Sequence, residues 1–200
     1  MMERRPQLLA RLSRCRGEHL VPGMFLEAAI ATAVARGANL AVEQARRQIA
    51  DGARLVENYR YPVAWMLGLL DLIGQDAVAR GGSYGEALYL TGREAGLAYV
   101  RSSVGRMRAM VAMASGLHRT LEGVPNAAAV AVTFGERSYR RLSPSSGELT
   151  FKQDLIGLGW NVGMVVASTS AALAMDPNAL KFEASPIDED ASSFLLRISW

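Results

Sequence analysis

Through the first two thirds of the chain, apolar residues recur every three or four positions, the spacing of a helix with one buried face. "GMFLEAAIATAVARG", from Gly23 to Gly37, places Phe25, Ala29 or Ile30, and Ala33 or Val34 on such a face, and Gly37 is its stop signal. "LAVEQARRQIADGARLVENY" repeats the spacing at Val42, Ala45, Ile49, Ala53 and Val56. Tyr61-Pro62 interrupts it, because proline disfavours helix in the residue before it and suits the first turn of the next helix. "PVAWMLGLLDLIGQDAVARGG" then predicts a helix apolar enough to be buried on more than one side.

After Gly81-Gly82-Ser83, "YGEALYLTGREAGLAYVRSSVGRMRAMVAMASGLHRTLEG" is the most helical stretch, as one long helix or as two broken near Ser102-Ser103. Gly92 and Gly96 lie one turn apart, so another backbone can approach that face closely. From Asn126 the period shortens. "AAAVAVTF", "SYRRLS" and "ELTFKQ" are β-capable runs separated by the turn signals "GER" and "PSSG". "LIGLGWNVGMVVASTSAALAM" returns to helix and ends before Asp176-Pro177. Two strands close the chain, "ALKFEA" and "SFLLRISW", and Phe194, Leu196, Ile198 and Trp200 alternate onto one core face.

Helices, then strands, then one long helix, then two strands predict an α+β fold. Its N-terminal helical layer is followed by a small antiparallel sheet with a long helix packed on it. With 200 residues, 50% of them apolar and 20% charged, the chain can bury one substantial core. No apolar run approaches the roughly 20 residues of a membrane span, and the start lacks the apolar segment of a secretory leader, so a cytoplasmic protein is expected. Cys15 is the single cysteine and there are two histidines, so neither a disulfide within the chain nor a Cys/His zinc site is expected.

Charge is uneven. Arg4, Arg5, Arg11, Arg14 and Arg16 against Glu3 give +4 in the first 16 residues, and the remaining 17 basic and 18 acidic residues leave −1. The chain is therefore divided into a basic N-terminal arm, residues 1–16, and one α+β domain, residues 17–200. Through Arg4, Arg5, Arg11 and Arg14 the arm can touch an anionic surface or nucleic acid, or it is a solvated helix packed by Leu8, Leu9 and Leu12. A broad nucleic-acid-binding face is not expected from the slightly acidic remainder.

His118 falls on the helical face of Met107, Val111 and Ala114. Two roles are open to it: a ligand to haem iron or wall of a ligand pocket, or a packed ring whose nitrogens are satisfied by a carbonyl or water. Met107, Met110 and Met113 form a methionine row of the kind that adapts to irregular apolar ligands or fills a core. Arg101, Arg108 and Arg119 form a basic row, either a solvated face or a fork for carboxylate or phosphate. Gly157, Gly159 and Gly163 lack the spacing of a phosphate loop, and close packing of their helix on the sheet accounts for them. No nucleophile elbow, metalloprotease histidine pair or kinase signature occurs, and no enzyme activity is expected.

Several of these stretches in order resemble an uncharacterised paralogous family of myxobacteria: "VPGMFLEAAIATAV", "YPVAW", "YGEALYLTGREAGLAYVRSSVGR", "LHRT", and the closing helix and strand. From Met107 onward the arrangement is also similar to the haem-nitric-oxide-binding domain and to the vinyl-reductase and TRAPP-type vesicle-tethering domains. That resemblance implies a ligand-binding fold, and it sets His118, followed by Pro125, where the haem domain carries its proximal histidine. The haem domain also holds the propionates with a Tyr-x-Ser-x-Arg motif before the long helix. The matching stretch here is "FKQDL", Phe151 to Leu155, with neither the serine nor the arginine.

The expectation is a non-catalytic sensory or adaptor domain that binds a small apolar ligand, a protein partner or a second copy, with no cofactor. Its pocket candidates are Met107, Met110, Val111, Ala114 and His118. The alternatives are a haem-based gas sensor on His118, and anionic-surface contact through the arm.

Overall fold

Residues 3–38, 42, 43, 47 and 55–200 are described by the structure, a computed structural model. The helix expected from Leu40 to Tyr59 falls largely outside the described residues.

Two short segments with the same plan open the fold. β1 (Leu20–Pro22) leads into α2 (Gly23–Ala35), which follows the short α1 (Arg5–Leu12), and β2 (Arg60–Pro62) leads into α3 (Val63–Ala79). Pro22 and Pro62 occupy the N-cap positions with φ −72 and −55, values that the pyrrolidine ring fixes in advance. The strands pair antiparallel, Val21 opposite Tyr61, and backbone acceptors outside the helices take the first N–H groups: Gly23 and Met24 donate to Tyr59 and Glu57, and Val63 to His19. At three residues each, these strands are too short for alternation to reveal them.

α4 (Tyr84–Arg101) and α5 (Ser103–Glu122) are two helices broken at Ser102. α6 (Val124–Ala131) follows, where a strand is expected from "AAAVAVTF". The correction has a local cause: Pro125 sits in the first turn of a helix, where its missing N–H costs nothing, and alanines favour helix. β3 (Glu136–Ser143), β4 (Ser146–Lys152), β5 (Lys181–Pro186) and β6 (Phe194–Ser199) form an antiparallel sheet ordered β3-β4-β6-β5. α7 (Leu158–Ala172) crosses between β4 and β5.

α7 is shared by two cores. Trp160 packs among α1 to α4, edge-on to Phe25 with ring centroids 4.9 Å apart. Val162, Val165 and Val166 pack on Leu149, Phe151, Phe194, Leu196 and Ile198 of the sheet. Its glycines meet a helix and not the sheet: a Cβ on Gly163 would lie 2.0 Å from the Tyr89 carbonyl oxygen, and one on Gly92 2.0 Å from that of Trp160. The α4–α7 crossing is thus backbone against backbone, which only glycine permits.

α1 is docked by a buried ion pair. Glu3 and Arg11 are both buried and pair through Glu3 Oε1. Arg11 also donates to the Leu155 and Ile156 carbonyls at 2.9 and 3.2 Å, while Glu3 Oε2 accepts from Gly159 N at 2.7 Å. Among the described residues no helix is long and apolar enough to cross a membrane.

Candidate functional site

Ser102 ends α4 with extended backbone, and its hydroxyl accepts from Gly105 N at 3.0 Å, capping the next helix. α5 therefore starts as a separate helix. It runs regularly to Gly116, whose φ of 78 and ψ of 179 break the helix, and beyond that point Leu117 and Leu121 enter the core on the sheet. α5, on both sides of Gly116, encloses together with α6 and α7 a cavity of about 930 Å³ open to solvent.

Apolar side chains dominate its wall. Met107, Met110, Val111, Ala112 and Ala114 come from α5, Val124, Ala127, Ala128 and Ala131 from α6, and Trp160, Met164 and Val165 from α7. Phe25, Phe151 and Ile156 add surface from the two cores. Met107, Met110 and Val111 are 62%, 62% and 65% exposed, large apolar side chains left in water along one cavity, which makes it the candidate site. The Trp160 indole N–H, buried in this wall, has no acceptor among the described residues.

Of the pocket residues expected from the sequence, Met107, Met110, Val111 and Ala114 line the cavity and His118 does not. Helical spacing puts His118 on their face, but the non-helical Gly116 lies between Ala114 and His118 and breaks that spacing, so that Arg119, Thr120 and Glu122 of the last segment line the cavity and His118 does not. Met113, 60% exposed, also lies outside the lining. The His118 imidazole faces the sheet. Its Nε2 is 3.0 Å from the Pro144 carbonyl, which can only accept, so Nε2 carries the proton and Nδ1 accepts from the Tyr139 hydroxyl. Trp200 closes the ring from its edge at 4.7 Å. The imidazole fastens the end of α5 to the β3–β4 hairpin.

The arginines divide as well. Arg108 and Arg119 reach the cavity and Arg101 does not. Arg119 pairs with Glu122 at 3.0 Å. In the N-terminal arm, Arg11 is buried against Glu3, Arg5 grips Asp71 at 2.9 and 3.1 Å, and Arg14 pairs with Asp190. Three of the four arm candidates are thus held in ion pairs; Arg11 is buried, while Arg5 and Arg14 pair at the surface, where Arg4 also lies. Sequence reasoning overlooked the α6 alanines, Trp160, Met164 and Arg137. Pro125 ahead of an alanine run was the available signal for the first of these.

Behind the start of α7, Asp154 forms the centre of a buried polar cluster. Its Oδ1 accepts from Ile156 N at 2.9 Å, Gly157 N at 3.0 Å and Asn161 Nδ2 at 2.9 Å, and its Oδ2 pairs with Arg137. Four donors around one carboxylate account for its complete burial. The cluster fixes the loop from which α7 departs.

A helical layer, a four-stranded antiparallel sheet and a long helix shared between them define the H-NOX fold. An H-NOX protein variant from K. algicida, solved in the unliganded Fe(II) state, superposes with a TM-score of 0.66 at 13% identity, over 89% of this chain and 95% of that one. The unliganded Fe(II) H-NOX protein from K. algicida gives 0.65 at 12% identity over 89% and 95%, and a point mutant of T. tengcongensis H-NOX gives 0.65 at 11% over 89% and 96%. Residues 14–200 match the family described as protein of unknown function DUF2378, and the chain belongs to that family. No curated protein matches it in sequence.

The residues present do not fit a histidine-ligated haem. His118 has both nitrogens engaged outside the cavity, and His19, whose Nδ1 accepts from Arg16 N, is not in its wall. Within Phe151 to Leu155, the stretch that matches the propionate motif, the Asp154 carboxylate already pairs with Arg137, so that cation is not free to hold a haem carboxylate.

Proposed function

We propose that this protein is a non-catalytic sensory domain that binds a small apolar molecule in the cavity between α5, α6 and α7. The observation that carries the proposal is the cavity itself, about 930 Å³ with three large aliphatic side chains of α5 more than half exposed along it. Covering such surface gains roughly 25 cal/mol per Å² removed from water. Methionine supports a ligand of irregular shape, because its unbranched thioether repacks at little cost. α5 is the element that responds: it borders the ligand on both sides of Gly116, and its second half is also fastened to the sheet by Leu117, His118 and Leu121. In this account occupancy is passed on to a protein partner or a second copy in a cytoplasmic signalling role.

A neutral solvatochromic dye tests the proposal. One dye per chain is expected to bind with a blue-shifted emission, and Ala128→Trp, which fills the cavity from α6, is expected to weaken it at least tenfold while the melting temperature holds. Binding of equal strength in Ala128→Trp would place the dye elsewhere and remove the support for the cavity.

A further inference from the structure

Four charged side chains reach the cavity wall: Arg108, Arg119, Glu122 and Arg137. Two of the three cations already have carboxylate partners, Arg119 with Glu122 and Arg137 with Asp154. Arg108 has neither an ion-pair nor a hydrogen-bond partner among the described residues. It is only half exposed, beside the end of α4, where its charge acts on the half-buried phenol of Tyr99. An uncompensated cation at the edge of an apolar cavity is costly, and an anion placed there relieves it more strongly than in open water. Val111 and Ala112 follow Arg108 one turn along α5, both in the wall, so the surface leading away from the charge is apolar.

We propose that the ligand is an amphiphile with one anionic head, a carboxylate on a long unbranched apolar chain, held with the head at Arg108 and the tail along α5, α6 and α7. The guanidinium fork matches the two oxygens of a carboxylate, which a point charge does not. The single unpaired cation sets the number of head groups at one, and the apolar wall excludes a ligand polar along its length. The inference rests on the cavity being the binding site, and the two can be tested separately.

Dodecanoate and 1-dodecanol share a chain and differ at the head. Each is titrated against the protein carrying the neutral dye, in the wild type, Arg108→Met and Arg108→Lys. The wild type is expected to bind the acid at least tenfold more tightly than the alcohol. Arg108→Met erases that preference through loss of the acid alone, and Arg108→Lys keeps part of it. An acid preference unchanged in Arg108→Met, or equal binding of acid and alcohol in the wild type, overturns the head-group assignment while leaving the cavity as the site. Failure of both to displace a dye that Ala128→Trp weakens overturns the assignment alone, and a dye bound equally well by Ala128→Trp overturns the cavity and the assignment together.

Discussion

His118 shows how far one residue's position on a helix determines its role. Its distance in sequence from Met107 and Val111 sets it on their face only if every residue between is helical, and Gly116 is not. With Pro144, Tyr139 and Trp200 around it, the imidazole is a fastener, and removing it leaves the Tyr139 hydroxyl and the Pro144 carbonyl without that partner. Charge at single residues is equally local. On the outer face of the sheet, Glu148 of β4 lies opposite Arg140 of β3 and Arg197 of β6, and hydrogen bonds from Arg197 and then Arg140 hold its carboxyl below the ordinary carboxylate range. A carboxyl depressed in the folded state binds fewer protons there than in the unfolded chain. Its stabilisation is therefore present above the ordinary value and is lost as pH falls through the folded one. In urea unfolding at a series of acidic pH values, the gap in stability between the wild type and Glu148→Gln is expected to narrow across that window. A gap independent of pH would contradict the assignment. The basic arm makes the same point in reverse, since neither the partner of Arg5, 66 residues away, nor the burial of Arg11 is written near them in the sequence.

At the scale of elements, long periodic stretches were legible and short or interrupted ones were not. α2, α3, α4 and α7 follow the apolar spacing of their segments, and the β5–β6 hairpin follows the alternation of Phe194, Leu196 and Ile198. β1 and β2 were not, because three residues carry no period. α6 was hidden by alanine and valine, which satisfy a strand and a helix alike until Pro125 is weighed. The candidate site suffered most from the break in α5. A Cβ at Gly116 would meet nothing within 4 Å, so Gly116→Ala tests the backbone alone. With φ of 78 and ψ of 179, the position belongs to a region held almost only by glycine. Denaturant titration is expected to show a loss of about 1–3 kcal/mol for Gly116→Ala, accompanied by altered dye affinity, because the two lining segments of α5 must reorient relative to each other. Unchanged stability and affinity would mean that the break does not set the direction of α5.

For the whole molecule, the layer order was legible and the location of the cavity was not. The succession of helices, hairpin, long helix and final strands is enough to define the layers, and the H-NOX fold has the same layers at 10–13% identity. Such identity shows a shared backbone plan and leaves the chemistry to this chain's own side chains. Those side chains place both nitrogens of His118 on the sheet, a buried aspartate before α7, and methionine, valine and alanine around the cavity. The protein is purified from cells supplied with a haem precursor, and its absorbance spectrum and native mass are recorded together with those of His118→Ala and Ala128→Trp. The account predicts no Soret band and an added small mass, at most one per chain, that Ala128→Trp removes and His118→Ala keeps. A Soret band lost in His118→Ala would contradict it and make the histidine a haem ligand.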